Sequence, residues 1–384
     1  MKKICVILFF DICILLWQNA FLSLSIYEIN EINFNSAFSI LLQYLLSILG
    51  SEYIRVFFIF LHILSCILLY LISKKYLEQR AYIALIIFIL CPGVLASSLL
   101  INYAGLVIFI SLLLIYLEQK KQNLIFYIIL SLSIYFIPSM MIFAFALLIY
   151  SYNKRKKNLF YYCLFLFFLS LNKYGFDVSG RPRAYFFDML AICATVFTPP
   201  LFLYYFYTIY DIAFKRKKDL LFFVSASSFL LCLALSFRQK TQIEDFLPFL
   251  IIAIPLVVKE FISSFYVHLP EFRLKYKIML YFTLFSLVFS YLFVLFNPIL
   301  YRYIDKSEHF ARAYHLNKEL AKSLKENNIN EISKNSDNFA ILQFYGLKEC
   351  KEKVCKRIYL CKNSNIKINF FFNTFYFCEK KEYN

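Results

Sequence analysis

The chain has 384 residues, of which 61% are hydrophobic, 21% aromatic and only 17% charged. Apolar surface on this scale exceeds what one water-soluble core buries, so the composition excludes an ordinary soluble enzyme and makes lipid the expected solvent. The net charge of +17 would suit a nucleic-acid partner. However, the basic clusters stand at the ends of apolar runs without an aromatic-basic recognition pattern, so they read as topology signals and head-group contacts.

In chain order, Met1 to Ile26 has the basic start and apolar stretch of a signal peptide. With no small-x-small cleavage site and enough length to span, it is expected to stay as a first helix carrying Asp11 near its cytoplasmic end. Apolar runs then recur at about 53–73, 81–100, 102–117, 124–137, 139–152, 158–171, 188–211, 219–236, 246–264 and 278–299, giving about eleven spans. Lys2-Lys3, Lys74-Lys75 with Arg80, Lys120-Lys121, Lys154 to Lys157, Lys215 to Lys218, and Arg273 with Lys275 and Lys277 occupy alternate breaks. The positive-inside rule places these in the cytoplasm, so the N-terminus is inside and the tail outside. The expected molecule is an all-α polytopic bundle of the bacterial inner membrane over residues 1–300, with a small α/β periplasmic domain over 301–384.

In the tail, Ser307 to Glu326 reads as a helix with Phe310, Leu316, Leu320 and Leu324 near one face, while Phe339 to Phe344 and Ile366 to Phe377 read as strands. His309 and His315 are expected to be solvated or capping. Seven of the eleven cysteines lie in apolar spans, where thiols are packing residues. Cys350, Cys355, Cys361 and Cys378 lie in the tail, where an oxidising compartment favours two disulfides of open connectivity over a zinc site.

With six Gly and four His, phosphate-loop and zinc-hydrolase chemistry have little to stand on. Chemistry is expected from carboxylates and cations on the outer face. In the first external loop, Glu28 and Glu31 could serve as a general base or ligate a divalent cation, and the alternative is a pair of loop acids that cap the next helix. Arg238 and Lys240 break the positive-inside trend and suit a phosphate or pyrophosphate, or anchor in the head groups. Arg181 and Arg183, in the longest external loop, could close over an anionic substrate, and Arg55 on the same face could snorkel.

The stretch Gly50 to Val56, then Leu69 to Leu77, then Arg80-Ala81 and an apolar run ending at Cys91-Pro92-Gly93, resembles the N-terminal half of bacterial GT-C glycosyltransferases. These are relatives of the protein O-mannosyltransferases and of the lipid A aminoarabinose transferase. Arg238 to Pro255 resembles the late motif of that family, and Asn317 to Tyr345 the start of its external tail. The resemblance implies a transferase that moves a sugar from a polyprenyl-phosphate carrier to a lipid, glycan or protein acceptor. Glu28 or Glu31 would be the base, with Arg55, Arg238 and Lys240 around the carrier phosphate. The chain departs from the family where an Asp-Glu pair or an acid before His-Pro-Pro is common: residues 31–39 read EINFNSAFS. It also has Asn102, Tyr103 and Ala104 where many members place a second acid. A single acid then acts alone, or the protein binds lipid or a partner without catalysis. A transporter would depend on Asp11, and a glycan ligase or polymerase on Arg181 and Arg183.

Overall fold

The computed structural model describes residues 2–34, 36–175, 185–238, 242–267, 273–304, 308–350, 354–361, 366–370 and 373–383. They are predominantly helical and end in a small sheet region. Three helical stretches are long and apolar enough to cross a membrane: Lys3–Phe21, Tyr53–Leu90 and Arg273–Leu295. Four sharply bent helix pairs pass the same test together, which makes up to seven spans if each pair counts as one. The apolar helices Asn123–Phe136, Met140–Asn153 and Leu220–Ser236 are shorter.

The chain groups into two compact units, Met1–Cys13 with Phe57–Leu292 and Ile14–Val56 with Phe293–Asn384. The division expected at residue 300 was a linear one, whereas this grouping joins the first-loop stretch to the tail. Two backbone donors account for that join: Ser23 N–H donates to the Tyr314 carbonyl at 2.8 Å, and Leu24 N–H to the Tyr345 hydroxyl at 2.9 Å.

In the first unit, Phe88, Leu112, Phe143, Phe197, Tyr205 and Phe249 lie in one buried apolar core. The helix Arg273–Leu295, by contrast, leaves Tyr281, Phe282, Phe285 and Phe289 exposed. A row of exposed aromatic side chains on an apolar helix is compatible with a lipid-facing surface. Pro92–Leu99 and Tyr103–Gln119 meet at 110°. The turn requires Gly105, because a Cβ there would fall 2.8 Å from the Ser97 carbonyl oxygen. Asn102 starts the second helix by accepting from Ala104 N–H at 3.0 Å.

The long helix Ala37–Leu77, of which residues 37–56 belong to the second unit, is interrupted at Gly50, whose φ of 77° lies where side-chain-bearing residues are strained. The expected tail helix is shorter than its pattern. A single 3₁₀ turn, Arg312–Tyr314, precedes Asn317–Glu326, which buries Leu320, Ala321 and Leu324 on one face. Phe339–Phe344, expected as a strand, is a helix that buries Ile341 and Leu342. Six apolar residues without alternation carry no period that separates the two states.

Strand β1 (Glu331–Ile332) pairs in parallel with β2 (Lys348–Glu349). β3 (Val354–Cys361), β4 (Ile366–Phe370) and β5 (Asn373–Tyr383) form an antiparallel sheet with β5 in the centre. Ile358, Ile368, Phe375 and Phe377 pack with Leu320 and Leu324, and a disulfide joins Cys361 to Cys378 across β3 and β5. Cys350 is also disulfide-bonded, and the Cys355 side chain lies outside the described residues.

His309 and His315, expected to be solvated or capping, are buried among aromatic rings. His309 stacks on Tyr301 with ring centres 4.0 Å apart. Its Nε2 faces the Asn297 carbonyl at 3.0 Å and its Nδ1 accepts from Ala311 N–H at 3.1 Å, an arrangement that fits the neutral Nε2–H tautomer. The Tyr301 hydroxyl lies 3.1 Å from His315 Nδ1. Burial, reinforced by His309, pushes His315 down to about 3. The unfolded side chain gains its proton near the ordinary value of 6.5, long before the folded one does. Stability from this site is therefore complete above that value and is lost progressively as pH falls toward 3. Melting of the full chain between pH 7 and pH 4 should show a steeper decline in wild type than in His315→Phe. Parallel curves would remove His315 as the cause.

Candidate functional site

Ser25-Ile26-Tyr27-Glu28 opens the helix Ile26–Asn33 as a capping box. Glu28 N–H donates to Ser25 Oγ at 3.2 Å, and Ser25 N–H donates to Glu28 Oε2 at 2.9 Å. The helix buries Glu28, Ile29 and Ile32 together. Burial brings Glu28 to Arg55, 27 residues away in sequence. Arg55 Nη2 donates to Glu28 Oε2 at 2.7 Å and to the Ser23 carbonyl at 2.8 Å. Both side chains are 3% exposed.

This geometry assigns different situations to the two first-loop acids. Glu28 is inside and paired, whereas Glu31, one turn later, is half-buried. Arg55 does not snorkel: it is buried at one end of an ion pair. Arg55 Nε and Ser23 Oγ are both buried with no hydrogen-bond partner among the described residues. Two unmet polar groups on residues in direct contact are the kind of feature an anionic oxygen would satisfy. Arg238 belongs to the first unit and is exposed, just beyond the end of the helix Leu220–Ser236. Lys240, Arg181 and Arg183 lie outside the described residues.

Ser23 and Ser25 were not singled out in the sequence. Ser25 carried a readable signal in its S-x-x-E spacing. Ser23 carried none, because its carbonyl and hydroxyl reach the site only through the fold. Asp11, read as the transporter candidate, also proves to be paired: its Oδ2 lies 2.9 Å from His62 Nε2. Elsewhere in the first unit, Arg216 bridges Asp211 at 2.9 Å and Glu260 at 2.6 Å. Arg216 and Glu260 line a cavity of about 310 Å³ together with Tyr76, Lys217, Asp219 and Lys259.

Removing one partner of a buried ion pair leaves an uncompensated charge, at a cost of roughly 3–5 kcal/mol, against about 1 kcal/mol for a lost helix cap. Arg55→Ala should therefore lower the melting point of the purified chain well below that of Ser25→Ala. Equal, small shifts would mean that the pair does not hold this region. No protein-family model matches the chain, and no curated protein matches it either.

Proposed function

We propose that the chain is a GT-C-type glycosyltransferase of the bacterial inner membrane. It would have about eleven spans, a cytoplasmic N-terminus and a periplasmic tail. It takes a sugar from a polyprenyl-phosphate donor and passes it to a lipid, glycan or protein acceptor. The observation that carries this reading is the buried Glu28–Arg55 pair, with unmet polar groups on Arg55 and Ser23 beside it. In the reaction, Glu28, or Glu31 one turn away, accepts the proton of an acceptor hydroxyl. The acceptor oxygen then bonds to the anomeric carbon, and the sugar–phosphate bond breaks with its electron pair going to the carrier phosphate. Arg55 offsets the charge that develops on that phosphate, and Arg238 and Lys240 are the further cations that the family resemblance assigns to it.

A second reading, lipid-carrier binding without catalysis, is favoured by one feature of the same site. Glu28 Oε2 already accepts from both Arg55 and Ser25, so this oxygen is engaged before any acceptor hydroxyl arrives.

Transfer of labelled sugar from a panel of polyprenyl-phosphate sugars to a total envelope extract separates the two readings. Wild type should transfer, and Glu28→Gln or Glu31→Gln should reduce the rate by about 10²-fold or more, as expected for loss of a general base. Arg238→Ala should also weaken transfer. A folded wild type that binds the carrier and transfers nothing would favour the binding reading.

A further inference from the structure

His62 and Cys66 are four residues apart on the helix Ala37–Leu77, so they share one face, one turn apart. Asp11 reaches them from the helix Lys2–Phe21, and all three belong to the first unit. His62 Nε2 lies 2.9 Å from Asp11 Oδ2 and 3.5 Å from Cys66 Sγ. One ligand atom from each residue falls within 4.8 Å of the other two. Asp11, His62 and Cys66 are 4%, 6% and 0% exposed.

A carboxylate oxygen and a sulfur therefore converge on one ring nitrogen, and a single proton there can serve only one of them well. A cation in place of that proton would serve both. A tetrahedral zinc ion with bonds of about 2.0–2.3 Å sets its ligand atoms roughly 3.3–3.6 Å apart. The nitrogen–sulfur distance already matches, and the nitrogen–oxygen distance is short by a few tenths of an ångström.

Charge points the same way. A carboxylate, a thiolate and a neutral imidazole sum to minus two, which a divalent ion cancels, and a neutral site is the least costly one in an apolar interior.

We propose that Asp11, His62 and Cys66 bind one divalent zinc-class ion that clamps the first helix to the helix Ala37–Leu77. The mixed nitrogen, sulfur and oxygen donor set disfavours magnesium and calcium, which take oxygen ligands. The competing account is a plain Asp11–His62 ion pair with Cys66 as packing. The site is separate from Glu28 and Arg55, so its failure would leave the transferase reading untouched.

The test uses the full chain, purified in detergent without a metal-binding tag, loaded with zinc, and assayed for bound metal by mass spectrometry. A parallel sample loaded with cobalt is scanned for the thiolate-to-metal charge-transfer band in the near ultraviolet. Wild type should hold close to one zinc per chain and show the cobalt band. Cys66→Ser should abolish the band, and His62→Gln should weaken zinc at least tenfold. A wild type that retains no zinc after dialysis, or a cobalt band that survives Cys66→Ser, would overturn the site and leave the ion-pair account.

Discussion

A charge removed from water must meet its opposite, and in the second unit that constraint acts at Glu28 and Arg55. The helix Ile26–Asn33 is only eight residues long and has little stability of its own. Its start is held by the Ser25 cap, and its buried face carries a carboxylate that would be untenable alone. Arg55 neutralises that carboxylate and also donates to the Ser23 carbonyl, which tethers the chain just before the cap. The Ser23 and Leu24 amides are then paired by Tyr314 and Tyr345. The chemistry proposed for the loop depends on this order, because a base and a phosphate-binding cation act only when held in place.

The same rule organises the polar groups of the first unit. Asp11 meets His62, Asp219 accepts from the Tyr76 hydroxyl at 2.7 Å, and Tyr150 and Lys156 both reach Glu118. Buried serines donate to carbonyls one turn back along their own helices, as Ser73 does to Leu69 and Ser228 to Val224. That leaves no hydroxyl proton unmet at these positions in an apolar interior. Cations near Tyr76 and Tyr135 lie over aromatic faces: Lys259 is 5.4 Å from the first ring centre and Lys173 3.4 Å from the second. Such pairings suit the border between water and lipid.

Composition and hydropathy made the helical, apolar character of the chain legible, because these are summed over long windows and tolerate local error. The span count was harder to read. Tyr53–Leu90 runs together where two spans were expected, and several other runs are broken by bends of more than 40°, which hydropathy does not register. The strand reading of Phe339–Phe344 failed because a short apolar run has no decisive period. The solvated reading of His309 and His315 failed because their burial comes from Tyr301 and, for His315, from Phe370 of β4, ring contacts that the helical pattern of this stretch does not register. Glu28 was read as a candidate base or as a loop acid capping the helix that follows, and it lies instead in the first turn of its own helix, Ile26–Asn33, whose capping box it completes. Its pairing with Arg55 was not legible, since nothing local links residues 27 positions apart.

The central claim is that one ion pair both orders the loop and supplies the chemistry, and a neutral replacement separates the two. In the double variant Glu28→Gln with Arg55→Met, both charges leave together, so the penalty of a lone buried charge disappears. Melting and sugar transfer would be measured on the same preparation, beside each single variant. The account predicts a double variant that melts above Arg55→Met alone and transfers no sugar. Transfer at the wild-type rate by this variant would contradict it, because the pair would then be scaffolding only.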